Sequence, residues 1–184
     1  LFKLTKTLVN DDTLTLFIDE ENQSKLGLRI ENKKKNSVTT YHLNLLDVDE
    51  DSVSAPPVNF GHMITMPSTD FQKVCRDAYN VSDVIEIKSV GSQLIFSSNG
   101  DFADFEMVFG ETSEGVIFSR NTEVANDYII QGYYLLKHLV LFSKCANLCQ
   151  NIQIYIENEY PIVIEFTVGS LGSLKLALAP QVES

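Results

Sequence analysis

Met66 to Asn80 reads MPSTDFQKVCRDAYN, and it breaks a two-residue alternation that runs through most of the chain around it. Pro67 followed by Ser68, with Asp70 one turn further on, has the chemistry of a helix start. The serine hydroxyl accepts from free N–H groups of the first turn, and the carboxylate sits at the positive end of the helix dipole. Ser68 is therefore expected as the N-cap. Phe71, Val74, Cys75 and Ala78 recur at helical spacing and form one apolar face, while Lys73, Arg76 and Asn80 fall at i, i+3 and i+7 on another.

On both sides of this helix the period is two. Thr13 to Ile18, Leu26 to Ile30, Val38 to Leu46, Val84 to Ile87 and Gln93 to Phe96 alternate as half-buried strands do, as do Phe102 to Phe109, Val116 to Phe118, Ile152 to Ile156, Ile162 to Val168 and Leu174 to Leu178. Asn99-Gly100 predicts a tight hairpin, because both residues tolerate positive φ. Glu157 to Tyr160 and Gly169 to Gly172 are further turn points. Two other segments have helical character: Leu1 to Val9, read as the remainder of a helix, and Gly132 to Asn147, with Leu135, Leu136, Leu139 and Phe142 on one face. Each leads into alternating strands, so the chain reads as three helix-plus-antiparallel-sheet units spaced by roughly 65 to 70 residues, the mark of duplication. The expected class is α+β.

Between the first and second units lies Asp47 to Gly61 (DVDEDSVSAPPVNFG), acidic and then Pro-rich, where Pro56-Pro57 cannot continue a central strand. It divides the chain into residues 1–46, a connector over 47–61, and a second domain over 62–184. No apolar run approaches the roughly 18 residues of a membrane span, and no basic-then-apolar leader opens the chain. The first residue is Leu1, inside an apolar pattern, as expected of a chain whose natural start lies further upstream. Cys75, Cys145 and Cys149 are an odd count without scaffold spacing and read as buried free thiols of a reducing compartment.

Fourteen basic residues against 25 acidic ones give a net charge of −11, which argues against a surface basic all over but not against a local basic strip. Lys73, Arg76 and Asn80 lie on the second helix, Lys137, His138 and Lys144 on the third, Lys3 and Lys6 on the first. One pair of lysines on a helix is an ordinary solvated face. The same feature on three repeats suggests a surface that contacts phosphates without reading bases. No catalytic arrangement competes with it: His42, His62 and His138 are scattered, and no GxxxxGK[ST], GxGxxG or HExxH motif occurs. No enzyme activity, cofactor or metal is expected; the acidic run Asp47, Asp49, Glu50 and Asp51 lacks the glycine-centred loop of a calcium hand.

Met66 to Asp77 (MPSTDFQKVCRD) resembles the opening of the second domain in eukaryotic DNA sliding clamps of the proliferating cell nuclear antigen type, and Leu174 to Pro180 (LKLALAP) resembles their C-terminal strand. Leu45 to Asp49 (LLDVD), Phe96 to Gly100 (FSSNG) and Pro161 to Phe166 (PIVIEF) fall between in the expected order, so the resemblance runs from Leu1 to about Glu183. It implies a DNA clamp (processivity) fold: two similar domains per subunit, a trimeric ring, helices lining the hole, and a chain here lacking about the first 70 residues of the usual clamp. The implied function is a non-enzymatic processivity factor that encircles duplex DNA and docks DNA polymerase, the clamp loader and peptide-bearing replication and repair proteins in the nucleus. A specialised paralogue or checkpoint-type clamp subunit is the alternative.

The hole-facing positions of the family match Lys3, Lys6, Lys73, Arg76, Asn80, Lys137, His138 and Lys144. Its partner-peptide groove matches Val53, Ala55, Phe60, Pro161, Ala177, Leu178, Ala179 and Pro180, with Ala55 and Ala177 smaller than usual. Subunit contacts would join Lys35 to Leu43 of one copy to Phe102 to Gly110 of the next in a homotrimer. The position of the ubiquitin-bearing lysine in relatives matches Gly91, and neighbouring Lys88 is not given that role.

Overall fold

In the computed structural model, which describes residues 1–46, 60–120 and 128–181, the alternation becomes twelve antiparallel strands among the described residues, in three sheets. The chain forms two compact units, Leu1–Pro56 and Pro57–Ser184.

The first unit contains a single helical turn, α1 (Phe2–Thr5), then β1 (Asp12–Asp19), β2 (Asn22–Asn32) and β3 (Ser37–Asn44) in the order β1-β2-β3. The helix expected to continue to Val9 stops early. Its Thr5 and Thr7 hydroxyls donate back to the carbonyls of Phe2 and Leu4, competing with the helix ladder. The Val9 N–H goes instead to the Asp12 carboxylate at 3.0 Å. That bond, followed by one from Asn32, holds the Asp12 carboxyl below its ordinary range. In the sheet, Leu16, Leu28 and Tyr41 stand in one cross-strand row and Leu14, Ile30 and Thr39 in the next. Leu28 and Ile30 are buried, but Leu16 and Ile18 on the same face remain 52% and 55% exposed. On the opposite face the Phe17 ring lies over Gly27, where any Cβ would strike it.

The second unit is built from two copies of one strand–helix–three-strand pattern. The first copy is β4 (His62–Pro67), α2 (Ser68–Tyr79), β5 (Val84–Val90), β6 (Gln93–Asn99) and β7 (Asp104–Gly110). After β8 (Ile117–Arg120) comes the second: β9 (Ile130–Leu135), α3 (Leu136–Ser143), a 3-10 turn (Lys144–Leu148), β10 (Asn151–Tyr155), β11 (Ile162–Thr167) and β12 (Ser173–Leu178). The first strand of each copy joins the sheet of the other, giving the orders β12-β11-β10-β4-β8 and β7-β6-β5-β9. The helix starts are fastened in matching ways: Ser68 N–H donates to the Gln150 carbonyl and Leu136 N–H to that of Asp83, both at 2.8 Å. Each acceptor immediately precedes the first strand after the other helix.

One core fills this unit. Phe71, Val74, Cys75 and Ala78 of α2 and Leu136 and Leu139 of α3 pack with Ile85, Ile87, Leu94, Phe96, Ile152, Ile154, Ile164 and Phe166 of the sheets. Burial pushes the Tyr134 hydroxyl up to about 12 and raises the Cys75 thiol, so Cys75 stays a neutral thiol. All three cysteines are free; Cys145 and Cys149 are half-buried rather than buried.

Several expectations change here. Residues 130–135, placed partly in the third helix, form β9, because Tyr133, Tyr134 and Leu135 suit a strand and pair with β5. The helix proper starts at Leu136 and tightens into the 3-10 turn at Lys144. Residues 62–67, assigned to no element, form β4. Ser68 is the first helical residue, not the cap; its hydroxyl donates to the Cys149 carbonyl at 2.7 Å. The Asn99-Gly100 hairpin exists, but residues 100–103 form its loop and neither residue has positive φ. Gly100 is required because a Cβ would collide with the Val81 carbonyl oxygen. Glu159, Gly169 and Gly172 do take positive φ at the two other expected turns, and Gly91 does so between β5 and β6.

On the outer face of the five-stranded sheet, the Tyr155 hydroxyl lies 2.9 Å from Gln153 Oε1 and 3.0 Å from Glu165 Oε2. Lys175 Nζ lies 3.3 Å from the same Glu165 oxygen. Burial raises the Glu165 carboxyl, but hydrogen bonds from Ser173, Tyr155 and Lys175 outweigh it and leave it below its ordinary range. Burial, then the bond to Glu165, raises the Tyr155 hydroxyl.

Two predictions follow from the packing and from this network. Phe71→Ala removes a ring from the centre of the core and should lower unfolding free energy by about 3–5 kcal/mol in urea titrations; a loss of under about 1 kcal/mol would contradict the packing described. Glu165 holds its proton less tightly folded than unfolded, so its stabilisation is complete above the ordinary carboxylate range and lost as pH falls through the depressed folded value. Glu165→Gln should therefore lower the melting temperature at neutral pH, with the difference from the parent shrinking toward about pH 3. A difference independent of pH would refute the assignment.

Candidate nucleic-acid interface and partner groove

The core dictates which side of each helix meets solvent. With Phe71, Val74, Cys75 and Ala78 turned inward, α2 exposes Thr69, Lys73, Arg76 and, at its C-cap, Asn80. With Leu136, Leu139 and Ser143 turned inward, α3 and its 3-10 continuation expose Lys137, Leu141, Lys144 and Leu148. Both stripes follow the same offsets, i, i+4, i+7 and i+11. The helices pack side by side, with Gln72 Nε2 donating to the Ser143 carbonyl at 3.0 Å. Because both bury their inner faces in one core, their stripes face outward together. This places Lys73, Arg76, Asn80, Lys137 and Lys144 on a common surface, with half-buried His138 beside Lys137. Lys144 keeps its exposure although it sits on the 3-10 turn.

The electrostatics of this surface are simple. Arg76 Nε approaches Asp77 at 3.5 Å, with the arginine side chain 68% exposed, a weak and screened pair. Lys73, Lys137 and Lys144 have no ion pair among the described residues, and Asp70 and Asp77 are half-buried at the flanks of α2. Leu141, 56% exposed between Lys137 and Lys144, was not singled out in the sequence; its place in the i, i+4, i+7 stripe was the available signal. Lys3 and Lys6 are exposed on the first unit, with Lys6 Nζ 4.7 Å from the centre of the Phe2 ring.

Of the groove residues, Val53 and Ala55 lie outside the described residues. The remaining six belong to the second unit. Ala177, Val163, Tyr155 and Met63 form one row across β12, β11, β10 and β4 on the outer face. Phe60 is half-buried against Tyr155, ring centres 5.7 Å apart at 48°. Beyond β12, Ala179 is exposed and Pro180 half-buried, and Gln181 N–H donates to the Tyr133 carbonyl at 2.7 Å, tying this tail to β9. Leu178 turns to the other face, opposite Ile162, and Pro161 is half-buried just before β11. Sequence reading missed Tyr155, Val163 and Met63, although each occupies an outward position of an alternating strand. Among the described residues no group of three or more His, Cys, Asp or Glu side chains is arranged to hold a metal ion.

Residues 54–181 match the family model described as proliferating cell nuclear antigen, C-terminal domain. The chain is 29% identical over 184 residues to a probable DNA polymerase sliding clamp 1 of Paramecium bursaria Chlorella virus 1, covering 98% of this chain and 68% of the viral protein. It is 28% identical over 177 residues to a probable DNA polymerase sliding clamp of Acanthamoeba polyphaga mimivirus, covering 95% of this chain and 37% of that protein. With a domain match over more than half its length, on a duplicated strand–helix–sheet framework, the chain belongs to the proliferating cell nuclear antigen family.

Proposed function

We propose that this chain acts as a DNA sliding clamp, a non-catalytic processivity factor that holds DNA polymerase on duplex DNA. The observation that carries the reading is the pair of matched cationic stripes on α2 and α3 in a chain of net charge −11. Lys73, Arg76, Lys137 and Lys144, with Asn80 and His138, face the duplex in this reading, and Lys3 and Lys6 of the first unit are further phosphate-contacting cations. Flexible lysines supply charge without a base-edge pattern, so the contact is independent of sequence, weak and salt-sensitive. Weakness suits sliding, because retention comes from encirclement.

Encirclement requires copies of the chain to close on one another, and we infer a homotrimer joined through the open edges of β3 and β7. Residues 1–46 supply part of a first clamp domain. The apolar face of half-buried Leu14 and exposed Leu16 and Ile18 supports this, since such a sheet face is built to be covered by a further layer. The row Ala177, Val163, Tyr155 and Met63, with Phe60, Pro161, Leu178, Ala179 and Pro180, is the described side of a groove for short peptides with an apolar plug. Polymerase, clamp loader and repair proteins are the partners it fits. The place of action is where DNA is copied, the nucleus in a eukaryotic cell.

Two measurements test this. Changing Lys73, Arg76, Lys137 and Lys144 together to alanine should abolish polymerase stimulation on a primed circular template while leaving the melting temperature nearly unchanged. The slope of log affinity against log salt should flatten by roughly 3 to 4 as those phosphate contacts disappear; unaltered stimulation would remove the helix face from the DNA surface. Ala177→Glu, which sets a charge in the apolar row, should weaken binding of a plug-bearing polymerase peptide by about tenfold or more in fluorescence polarisation. Unaffected binding would move the groove elsewhere.

A further inference from the structure

The outward face of the first sheet holds a cavity of about 240 Å³, lined by Phe17, Asp19, Asn22, Lys25, Gly27 and His42. Phe17, Gly27 and His42 form one row across β1, β2 and β3, on the face opposite buried Leu28 and Ile30. The Phe17 ring fills the space that a side chain at Gly27 would take, and His42 meets the ring edge-on, centres 6.3 Å apart at 87°. The ring is thereby braced as one wall of the cavity.

This row has a counterpart in the second unit. Strands β1, β2 and β3 follow α1 as β10, β11 and β12 follow α3 and its 3-10 turn. In each set an outward aromatic on the first strand stands opposite a smaller residue on the second: Phe17 opposite Gly27, Tyr155 opposite Val163. The third strand then supplies His42 in one row and Ala177 in the other.

The two rows differ in the polar groups at their flanks. Beside Tyr155, Lys175 is paired with Glu165 at 3.3 Å. Beside Phe17, half-buried Lys25 has no ion pair among the described residues, in a chain with 25 acidic residues. Asn22 accepts from the Ser24 hydroxyl through its side-chain oxygen at 2.7 Å, which leaves its amide N–H groups to donate. His42 adds an imidazole N–H. Asp19 is the one carboxylate of the lining, and it is exposed at the rim. A half-buried ammonium without a counter-charge has lost part of its hydration and regains favourable contact when an anion arrives. Asp19 sets a limit on that anion, because a run of acids would meet it as like charge. The volume falls short of the roughly 300–1,000 Å³ of pockets that enclose a whole small ligand. It suits one or two side chains of a peptide lying across the strands.

We propose that this cavity is a second peptide-docking site, where Lys25, Asn22 and His42 hold a single aspartate or glutamate of a partner protein and Phe17 packs against the apolar side chain beside it. Donors on one side and a braced ring on the other match that pair of side chains and no basic one. Every residue of the site belongs to the first unit. The site therefore stands whether or not the groove on the second unit binds peptides, and whether or not copies of the chain close on one another.

Two short fluorescein-labelled peptides test it on the full chain by fluorescence polarisation, one with a Phe-Glu pair in a Gly-Ser background and one with a Phe-Lys pair. The parent should bind the Phe-Glu peptide about tenfold more tightly than the Phe-Lys peptide, as expected of one charge-assisted hydrogen bond. Lys25→Glu should weaken the Phe-Glu peptide by about tenfold and turn the preference toward Phe-Lys, a reversal that loss of fold does not produce. Asn22→Ala, at an exposed position, should weaken the Phe-Glu peptide by about threefold. Phe17→Ala should weaken both peptides; because Phe17 also packs on Gly27, its unfolding midpoint is measured alongside. Ala177→Glu should leave both affinities unchanged, which separates this cavity from the groove. Equal affinity for the two peptides, or a Phe-Glu complex that survives Lys25→Glu, overturns the site. A complex lost in Ala177→Glu and kept in Lys25→Glu assigns the binding to the groove, overturning the second site while leaving the clamp. Free phenylacetate competing as well as the Phe-Glu peptide overturns a peptide as the occupant.

Discussion

The second unit depends on an exchange of strands. β4 leaves its own half to pair with β10, and β9 leaves its half to pair with β5, so neither sheet is complete without the other half. The exchange also fixes the helices. Each begins directly where its exchanged strand ends, at Pro67–Ser68 and at Leu135–Leu136, with no loop between them. Each first helical N–H is bound to the carbonyl just ahead of the opposite half's next strand. A helix held this way has little freedom to roll about its axis, and the apolar residues that must be buried then decide which residues cannot be. The cationic stripes are the remainder of that constraint.

This explains how a strongly acidic chain carries a local basic surface. Charge balance over the whole molecule is set by acids elsewhere in the sequence, many of them in described loops and strand edges where Asp and Glu are readily solvated. The two exposed stripes are set by helical periodicity against one core, and the only acids on these helices are Asp70 and Asp77, half-buried at the flanks of α2. The apolar Leu141 between Lys137 and Lys144 is affordable there because a side chain on a helix face stays partly covered by its neighbours.

Much of the strand content was legible because alternation in half-buried antiparallel sheets is written residue by residue: Val84 to Ile87, Ile152 to Ile156 and Ile162 to Val168 all became strands. The face of α2 was legible for the same reason at helical period. The two missed strands share one cause. β4 and β9 are the exchanged strands, and their identity depends on partners in the distant half, which local pattern cannot supply. β9 in addition runs straight into α3, so Tyr133 to Leu135 read as the start of the helix they precede. Gly100 was recognised as a turn glycine for the wrong reason; its need for a missing Cβ comes from Val81, on another loop. Of the candidate site, the cations could be named from the sequence, but the row Tyr155, Val163 and Met63 required knowing which strands lie side by side.

The weakly basic helix face and the uncovered edges of β3 and β7 make sense together if the chain acts as proposed. Four cations on one unit would release about as many counterions on meeting a duplex, far too little at physiological salt to hold it for the length of a replication run. An open antiparallel edge is likewise a hazard that proteins ordinarily cover or blunt. If copies close through those edges, the hazard becomes the joint, and retention no longer depends on affinity. The cations then need only keep the duplex centred and lubricated by mobile counterions, and a tighter surface would work against the motion the ring exists to permit.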